Sequence, residues 1–181
     1  MDKASHPWSV PVTVDELPET GLHLELEAPD TVRAAIAQLA GVREVKEFSA
    51  VFDLARRGAG VQVDGEVTGK VGQTCVVTLE PIENDVRETV DVRFSPHVVR
   101  DEAQDIEDAV LAGPEAEEPP EPLVGGKIDL GQIATEFLVL GIDPYPRKPG
   151  AEFAAPKVED AGPHPFAALE ALKSRPGGGK A

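Results

Sequence analysis

The sequence is short of cysteine, of aromatic residues and of long apolar runs, and each shortage excludes a class of protein. Cys75 is the one cysteine in 181 residues, so the chain forms no internal disulfide and has no thiolate pair for a usual zinc site. No stretch reaches the roughly 18–20 apolar residues of a membrane-spanning helix, and residues 1–10 lack the apolar segment of a secretory signal peptide. We therefore expect a cytoplasmic protein that makes no membrane contact.

Motifs of catalysis and cofactor binding are also missing. The chain has no nucleophile elbow, P-loop or dinucleotide fingerprint. Its four histidines are far apart in sequence, and none has a metal-like partner three or four positions away: His6, His23, His97 and His164. Cys75 has no neighbouring His or basic cluster, which favours an inert, buried thiol over a nucleophile. We expect no enzyme activity, no cofactor and no metal site.

Charge of one sign dominates the chain. Seventeen basic and 33 acidic residues give a net charge of −16, and residues 101–121 carry nine carboxylates with no Lys or Arg. A chain of this charge repels phosphate backbones at long range, so general binding to RNA or DNA is disfavoured. The acidity suits a basic partner protein, and an equally weighted alternative is that it only maintains solubility.

Alternation with a period of two predicts the strands of an antiparallel sheet. Residues 8–14 suit a short edge strand that Pro11 interrupts, and residues 22–27 suit a second strand with its leucines on one face. The alternation that begins at Val45 predicts a third strand. Its apolar face consists of Phe48, Ala50, Phe52 and Leu54.

A further alternation runs without interruption from Val61 to Leu79. Because that is too long for an ordinary flat strand, we expect a bend, a bulge or a tight hairpin at one of the glycines Gly65, Gly69 and Gly72. Pro81 is expected to stop the strand, and a turn is expected at residues 83–85. One more strand is expected to follow, with Val86, Val90, Val92 and Phe94 alternating.

Two helices are predicted from apolar residues at helical spacing. Asp30 is the expected N-cap of the first and Gly41 its end. Its apolar residues are Val32, Ala35, Ile36, Leu39 and Ala40. Asp129 is the expected N-cap of the second, which is so apolar that we expect it to dock on the sheet. Its apolar residues are Leu130, Ile133, Ala134, Phe137 and Leu138.

The predicted fold class is α+β. It is an antiparallel, curved β meander with one helix near the N-terminus, a C-terminal helix packed on it and an acidic disordered loop. We assign residues 8–99 to the β-rich core and residues 100–127 to an acidic, proline-rich mobile linker. Residues 128–175 form a helical part that packs on the same core and includes a last short helix around Phe166. Residues 176–181 form a disordered tail.

Three blocks of sequence resemble the YceD family, which is named for large ribosomal RNA subunit accumulation. The first is QTCVVTLEP at residues 73–81, set against the family pattern C-x-R-C-L-E-P. The matching residues are Cys75, Leu79, Glu80 and Pro81. Val77 replaces the arginine and Thr78 replaces the second cysteine, a form similar to the alphaproteobacterial branch. With Thr78 in that position, a C-x-x-C metal or redox role does not apply.

The two later blocks agree with this resemblance. Residues 128–140, IDLGQIATEFLVL, are similar to the family's D-L-x-E-L-x-x-E-x-L-L-L helix, and residues 143–146 stand where the family has L-P-x-x-P. Residues 164–173, HPFAALEALK, resemble its closing N-P-F-x-x-L-x-x-L-K. The three blocks occur in the family's order and cover most of residues 10–175.

The resemblance implies a protein without enzymatic activity that supports synthesis, processing or stability of large-subunit ribosomal RNA. Our leading hypothesis is a binding factor whose acidic surface holds a basic ribosomal protein or an assembly factor of the large subunit. The alternative is direct binding of large-subunit RNA by the polar face of the sheet. The residues that would then face the RNA are Arg56, Arg57, Lys70, Arg87 and Arg93.

The first block is the candidate binding site, because it carries the clearest match. It also has a purely structural interpretation, in which Pro81 terminates the strand ladder and Glu80 caps exposed amides. Both interpretations remain open at this point.

Overall fold

An antiparallel meander of four strands dominates the structure, a computed structural model that describes residues 6–96 and 119–153. The strands are β1 (Pro11–Thr13), β2 (Leu22–Glu27), β3 (Glu44–Arg57), β4 (Gly60–Thr74), β5 (Pro81–Ser95), β6 (Glu121–Pro122) and β7 (Lys127–Asp129). The helices are α1 (Asp30–Ala40) and α2 (Leu130–Gly141), and Val14–Glu16 forms a single 3-10 turn. Neither helix in the described ranges has the length and hydrophobicity that a membrane crossing requires.

The main sheet has the order β2-β3-β4-β5-β6, and the short strands β1 and β7 pair separately with each other. All pairs are antiparallel except β5 with β6, which is parallel and two residues long. The α+β class predicted from the sequence is confirmed. The strands β6 and β7 were not predicted, because two or three residues carry no visible periodicity.

The two faces of the sheet differ in burial and in composition. On the covered face, alternate residues of β3 and β4 are buried, as the alternation predicts: Phe48, Ala50, Phe52, Leu54, Val61, Val63, Val67 and Val71. Both helices pack on this side, where Trp8 also meets the ring of Phe48 edge-on at 4.9 Å. The opposite side, which we call the open face, presents exposed polar side chains to solvent.

The helix α1 has the predicted extent but a different N-cap. Pro29, not Asp30, occupies the cap position and gives no side-chain hydrogen bond, and Asp30 is the first helical residue. Gly41 ends the helix with a φ of 66°, a left-handed conformation that glycine adopts without strain. Leu39 was assigned to the apolar face but is 61% exposed.

The helix α2 begins as predicted. Asp129 accepts hydrogen bonds from the backbone N–H groups of Gly131 and Gln132, which satisfies two donors that a helix start leaves unpaired. The predicted docking on the sheet is confirmed, since Leu138 is fully buried against Gly69 of β4. A Cβ atom at Gly69 would lie 2.5 Å from Leu138 Cδ1, so this glycine provides the space for the helix.

The prediction for the segment after Val61 is wrong in three respects. The strand β4 pairs with β5 from Val61 to Thr74 without a hairpin or bulge, and the irregularity lies in β3, between Val45 and Glu47. The strand ends at Thr74 and does not continue to Leu79. Pro81 begins β5, so residues 83–85 lie within a strand, and the turn is at residues 75–80.

Several predictions fall outside the described residues. Residues 100–118 of the predicted acidic linker (100–127), the last short helix around Phe166 and the tail at 176–181 belong to this group. The described residues up to Ala151 form one compact unit, and Glu152 begins a second. Of the second unit, Glu152 and Phe153 are described, and they have no regular secondary structure.

Candidate functional site at the Cys75 loop and the open face

The first matched block lies in the turn between β4 and β5, which we call the Cys75 loop (residues 75–80). Its ends are joined by the Cys75 N–H, which donates to the Glu80 carbonyl at 2.9 Å, and the Leu79 N–H donates back to the Cys75 carbonyl at 2.9 Å. Leu79 has a φ of 61°, which non-glycine residues rarely adopt. Such a conformation persists only where the surrounding contacts fix it, so the Cys75 loop has one defined shape.

The Cys75 thiol is the buried centre of this loop. The backbone N–H groups of Lys148 and Thr78 point at Sγ, from 3.3 and 3.4 Å. Hydrogen bonding from Lys148 first, and then from Thr78, lowers the pKa of Cys75 to about 6. The thiolate is therefore favoured at neutral pH, but the side chain has no exposed surface through which a reagent could reach it.

The segment that follows α2 holds the Cys75 loop in place. The Val76 N–H donates to the Pro146 carbonyl at 2.9 Å, and the Gln73 side chain donates to the Asp143 carbonyl at 2.8 Å. The Lys148 ammonium binds the Glu80 carboxylate at 2.9 Å, and this hydrogen bond lowers the pKa of Glu80. Two of the three matched blocks thus come together in space, although about 70 positions separate the contacting residues.

These contacts correct the structural interpretation of the first block. Pro81 does not terminate a strand, because it is the first residue of β5 and pairs with Thr74. The Glu80 side chain binds the ammonium group of Lys148, which is a side-chain ion pair and not a cap of backbone amides.

Apolar side chains are exposed on the outside of this assembly. Leu79 is 75% exposed, Tyr145 is 72% exposed and Val76 is 45% exposed. A cleft of about 220 Å³ adjoins Val76, with Arg43 and Pro144 in its lining. Exposed apolar groups on a rigid loop can contact a partner protein at a low entropic cost.

The five basic residues of the RNA hypothesis do not share one environment. The Arg56 guanidinium donates to the backbone carbonyls of Val14 and Leu17, at 2.7 and 3.1 Å, and so anchors the 3-10 turn. Lys70 and Arg87 are on the open face, where each is paired with a glutamate: Lys70 with Glu47 at 3.5 Å and Arg87 with Glu66 at 3.4 Å. Arg57 and Arg93 both line a depression that also contains Asp64 and Asp91.

The open face is acidic. On β2 to β5 it carries ten carboxylates and five lysine or arginine residues. The carboxylates are all exposed: Glu25, Glu27, Glu44, Glu47, Asp53, Asp64, Glu66, Glu83, Asp85 and Asp91. The basic residues are Lys46, Arg57, Lys70, Arg87 and Arg93. Within residues 6–96 and 119–153, no group of three or more His, Cys, Asp and Glu side chains is arranged to hold a metal ion.

Comparison with protein families matches residues 63–173 to the model described as large ribosomal RNA subunit accumulation protein YceD. The match spans more than half of the chain. The chain belongs to the YceD family. No curated protein and no solved structure matches it significantly.

The YceD match begins in β4, so it includes the Cys75 loop, β5, α2 and the segment that binds the loop. It supports the involvement in large-subunit ribosomal RNA accumulation that the family description names. The sequence named Cys75, Leu79, Glu80 and Pro81 as candidates, and their role in binding stays a prediction. It included Gln73 in the first block without giving it a role, and it did not identify Lys148, which contacts Cys75 and Glu80. The position of Lys148 just after the matched residues 143–146 is the signal that could have identified it.

Proposed function

We propose that this YceD family member is a non-enzymatic binding factor in biogenesis of the large ribosomal subunit and that it acts through a basic protein partner. Family membership supports the ribosomal role. The observation that favours a protein partner over RNA is the excess of exposed carboxylates on the open face. A negative surface attracts a basic protein and repels the phosphate backbone.

The Cys75 loop contributes a second kind of contact in this proposal. Leu79, Val76 and Tyr145 offer apolar surface that is held rigid by the hydrogen bonds around Cys75. Charge would then guide the encounter and apolar burial would hold the complex, as is usual where electrostatic attraction raises the association rate.

Sedimentation of cell extracts tests the proposal. Depletion of the protein should lower mature large-subunit RNA relative to small-subunit RNA, and a tagged copy should co-sediment with large-subunit precursors. An unchanged RNA ratio, with the tagged protein only in the free pool, would exclude the proposed function.

A pull-down with and without ribonuclease separates the protein partner from direct RNA binding. Contact through a basic protein should survive the ribonuclease. Contact through RNA should be lost, and its affinity should fall with salt by about one unit of log slope for each phosphate contacted. The second pattern would replace the protein partner with the RNA alternative.

A further inference from the structure

The strand β5 lies at the edge of the four-strand meander. On the side away from β4, its one strand partner among residues 6–96 and 119–153 is β6, which pairs with Phe94 and Ser95 alone. In that part of the chain, the edge from Glu83 to Asp91 has no strand partner beyond β4. An edge strand of this length is a template for pairing with another chain.

One hydrogen bond gives the direction of the backbone groups along this edge. The Leu123 N–H donates to the Ser95 carbonyl at 3.0 Å, so the backbone of Ser95 points away from β4. The register of β4 and β5 is unbroken, and alternate residues of an antiparallel strand direct their N–H and carbonyl groups to the same side. Arg87, Thr89 and Asp91 therefore direct their backbone groups away from β4 as well.

The side chains at these three positions are complementary to a second copy of themselves. Pairing of β5 with its own copy about a two-fold axis through Thr89 places Arg87 opposite Asp91 at both ends. All three side chains are exposed on the open face. Opposite charges directly across two strands stabilise their pairing, and like charges destabilise it.

The neighbouring registers lack this match. Moving the axis one residue towards the start of β5 would place Asp85 opposite Asp91 of the second copy. Moving it one residue the other way would place Arg87 opposite Arg93. Both shifts oppose like charges, so the sequence of β5 favours the axis at Thr89 over its neighbours.

The contacts that Arg87 and Asp91 make within the chain leave them able to bind a second copy. Arg87 lies 3.4 Å from Glu66 with its side chain 73% exposed, and Asp91 accepts a hydrogen bond from the neutral amide of Gln62 at 2.6 Å. An exposed ion pair of this kind contributes little to stability. A guanidinium has five N–H donors, so Arg87 can bind a second carboxylate without releasing Glu66.

The helix α2 adds apolar surface beside the same edge. Phe137 and Leu140 border a depression of about 870 Å³ that also reaches Thr89 and Asp91, and Leu140 is 78% exposed. The charged residues around it are two arginines and two aspartates: Arg57, Arg93, Asp64 and Asp91. This mixture selects neither a basic nor an acidic partner, whereas a second copy brings the same mixture and a second α2 on the same side of the sheet.

We propose that the β5 edge is the interface of a homodimer, in which β5 pairs antiparallel with β5 of a second copy about a two-fold axis through Thr89. Residues 87–91 then form three opposed pairs that exchange about six backbone hydrogen bonds. The interface is isologous and closed, so it produces a dimer and not a filament. Dimerisation goes beyond the proposed function and does not depend on it.

Two single charge reversals and their mixture test this interface. Arg87→Glu opposes carboxylates and Asp91→Arg opposes guanidinium groups, so each variant alone should dissociate at least tenfold more readily than the wild type. An equimolar mixture restores both ion pairs in a heterodimer, which should form as tightly as the wild-type dimer. Arg147→Glu and Glu19→Arg are the matched controls, since they make the same changes of charge at exposed positions away from β5.

Sedimentation velocity of the full-length proteins over a concentration series measures the dissociation constants. A wild type that stays monomeric throughout the series would overturn the proposal, and so would single variants that dimerise like the controls. Single variants that remain monomeric after mixing would overturn the proposed register. Dimerisation of Asp91→Arg, with loss in Arg87→Glu alone, would also overturn it, because an axis at Val86 pairs Asp85 with Arg87 and leaves Asp91 opposite Pro81.

Hydrogen exchange of the Thr89 N–H identifies what covers the edge. In the dimer this N–H is bonded to the second copy, so its exchange should be slow at high protein concentration and fast on dilution. Slow exchange in a monomer would mean that another segment of the same chain pairs with β5. Slow exchange that appears only with large-subunit precursors would assign the edge to the protein partner. Either result would overturn the homodimer.

Discussion

The covered and open faces of the sheet are made by the same strands, yet side chains are buried on the covered face and exposed to solvent on the open face. On β3, Phe52 is fully buried and its neighbour Val51 is 37% exposed, only because successive side chains point to opposite sides. The covered face is apolar and filled by the helices, whereas the open face tolerates aspartates in direct register. The comparison indicates that the covered face determines the fold and leaves the open face free for binding.

The largest effect should come from truncating a side chain of the covered face. Phe52→Ala should lower the free energy of unfolding by about 3–5 kcal/mol, because it removes buried surface and leaves a cavity. Val51→Ala, one residue away on the open face, should change it by only about 0.5 kcal/mol. Urea unfolding of the two variants measures both free energies of unfolding. Similar losses for Phe52→Ala and Val51→Ala would contradict the difference in burial between the two faces.

A glycine on the covered face should tolerate substitution less well than one beside a flexible side chain. Gly69→Ala places a methyl group against the buried Leu138, and we expect a loss of about 1–3 kcal/mol. Gly72→Ala meets the side chain of Glu44, which is exposed and can move aside. Thermal unfolding should rank the wild type and Gly72→Ala above Gly69→Ala, and the reverse order would contradict the docking of α2 described above.

The Cys75 loop should show a smaller effect that depends on pH. Because the pKa of Cys75 is lowered to about 6, the folded state favours the thiolate, and this stabilisation is full above the unfolded pKa of about 8.5. This stabilisation by the thiolate is lost as the pH falls through the folded-state pKa of about 6. The stability difference between the wild type and Cys75→Ser should therefore be larger at pH 9 than at pH 5.5, as measured by urea unfolding.

The same substitution also tests whether Cys75 is structural. Cys75→Ser and Cys75→Ala should retain co-sedimentation with large-subunit precursors, apart from the stability loss. Loss of association with an unchanged melting curve would show that the thiol itself takes part in binding.

The smallest effect is expected at His23 on the open face. Its hydrogen bond to Asp53 raises the pKa of His23 above 6.5, with a further contribution from Glu25 on the same strand. Because the pKa of His23 is higher in the folded than in the unfolded protein, protonation of His23 stabilises the fold fully at pH below 6.5. This stabilisation is lost as the pH rises through the pKa of His23 in the folded protein. The stability difference between the wild type and His23→Gln should be greater at pH 5.5 than at pH 8.5, and Asp53→Asn should reduce this pH dependence to the smaller part that Glu25 contributes.

The regular parts of both faces could be predicted from sequence, and the turn between β4 and β5 could not. Strands β2 and β3 place an apolar residue at every second position, so their faces are explicit. Val77 and Leu79 continue that alternation past the end of β4, which hides the Cys75 loop. Asn84 looks like a turn residue, but its amide binds Gln73 within the sheet.

The candidate site was predictable only in part, for a related reason. The matched block supplied the Cys75 loop, but its partner Lys148 is brought to it by the fold. The side-by-side placement of Asp53, Asp64 and Asp91 on the open face depends on the register of three strands, and a slip of one residue would move every side chain of a strand to the other face. No local pattern in the sequence contains that information.

The pairing of β1 with β7 has a consequence for the order of events during synthesis. Pro11 lies opposite Asp129, whose carboxylate also binds Ser9 and the Val10 N–H. At about 5–20 residues per second, the ribosome needs roughly 6–24 s to make the chain between these partners. Between the synthesis of Ser95, which completes β5, and that of α2 (Leu130–Gly141), the apolar side of the sheet lacks this helix, so we expect its apolar residues to be exposed on the nascent chain.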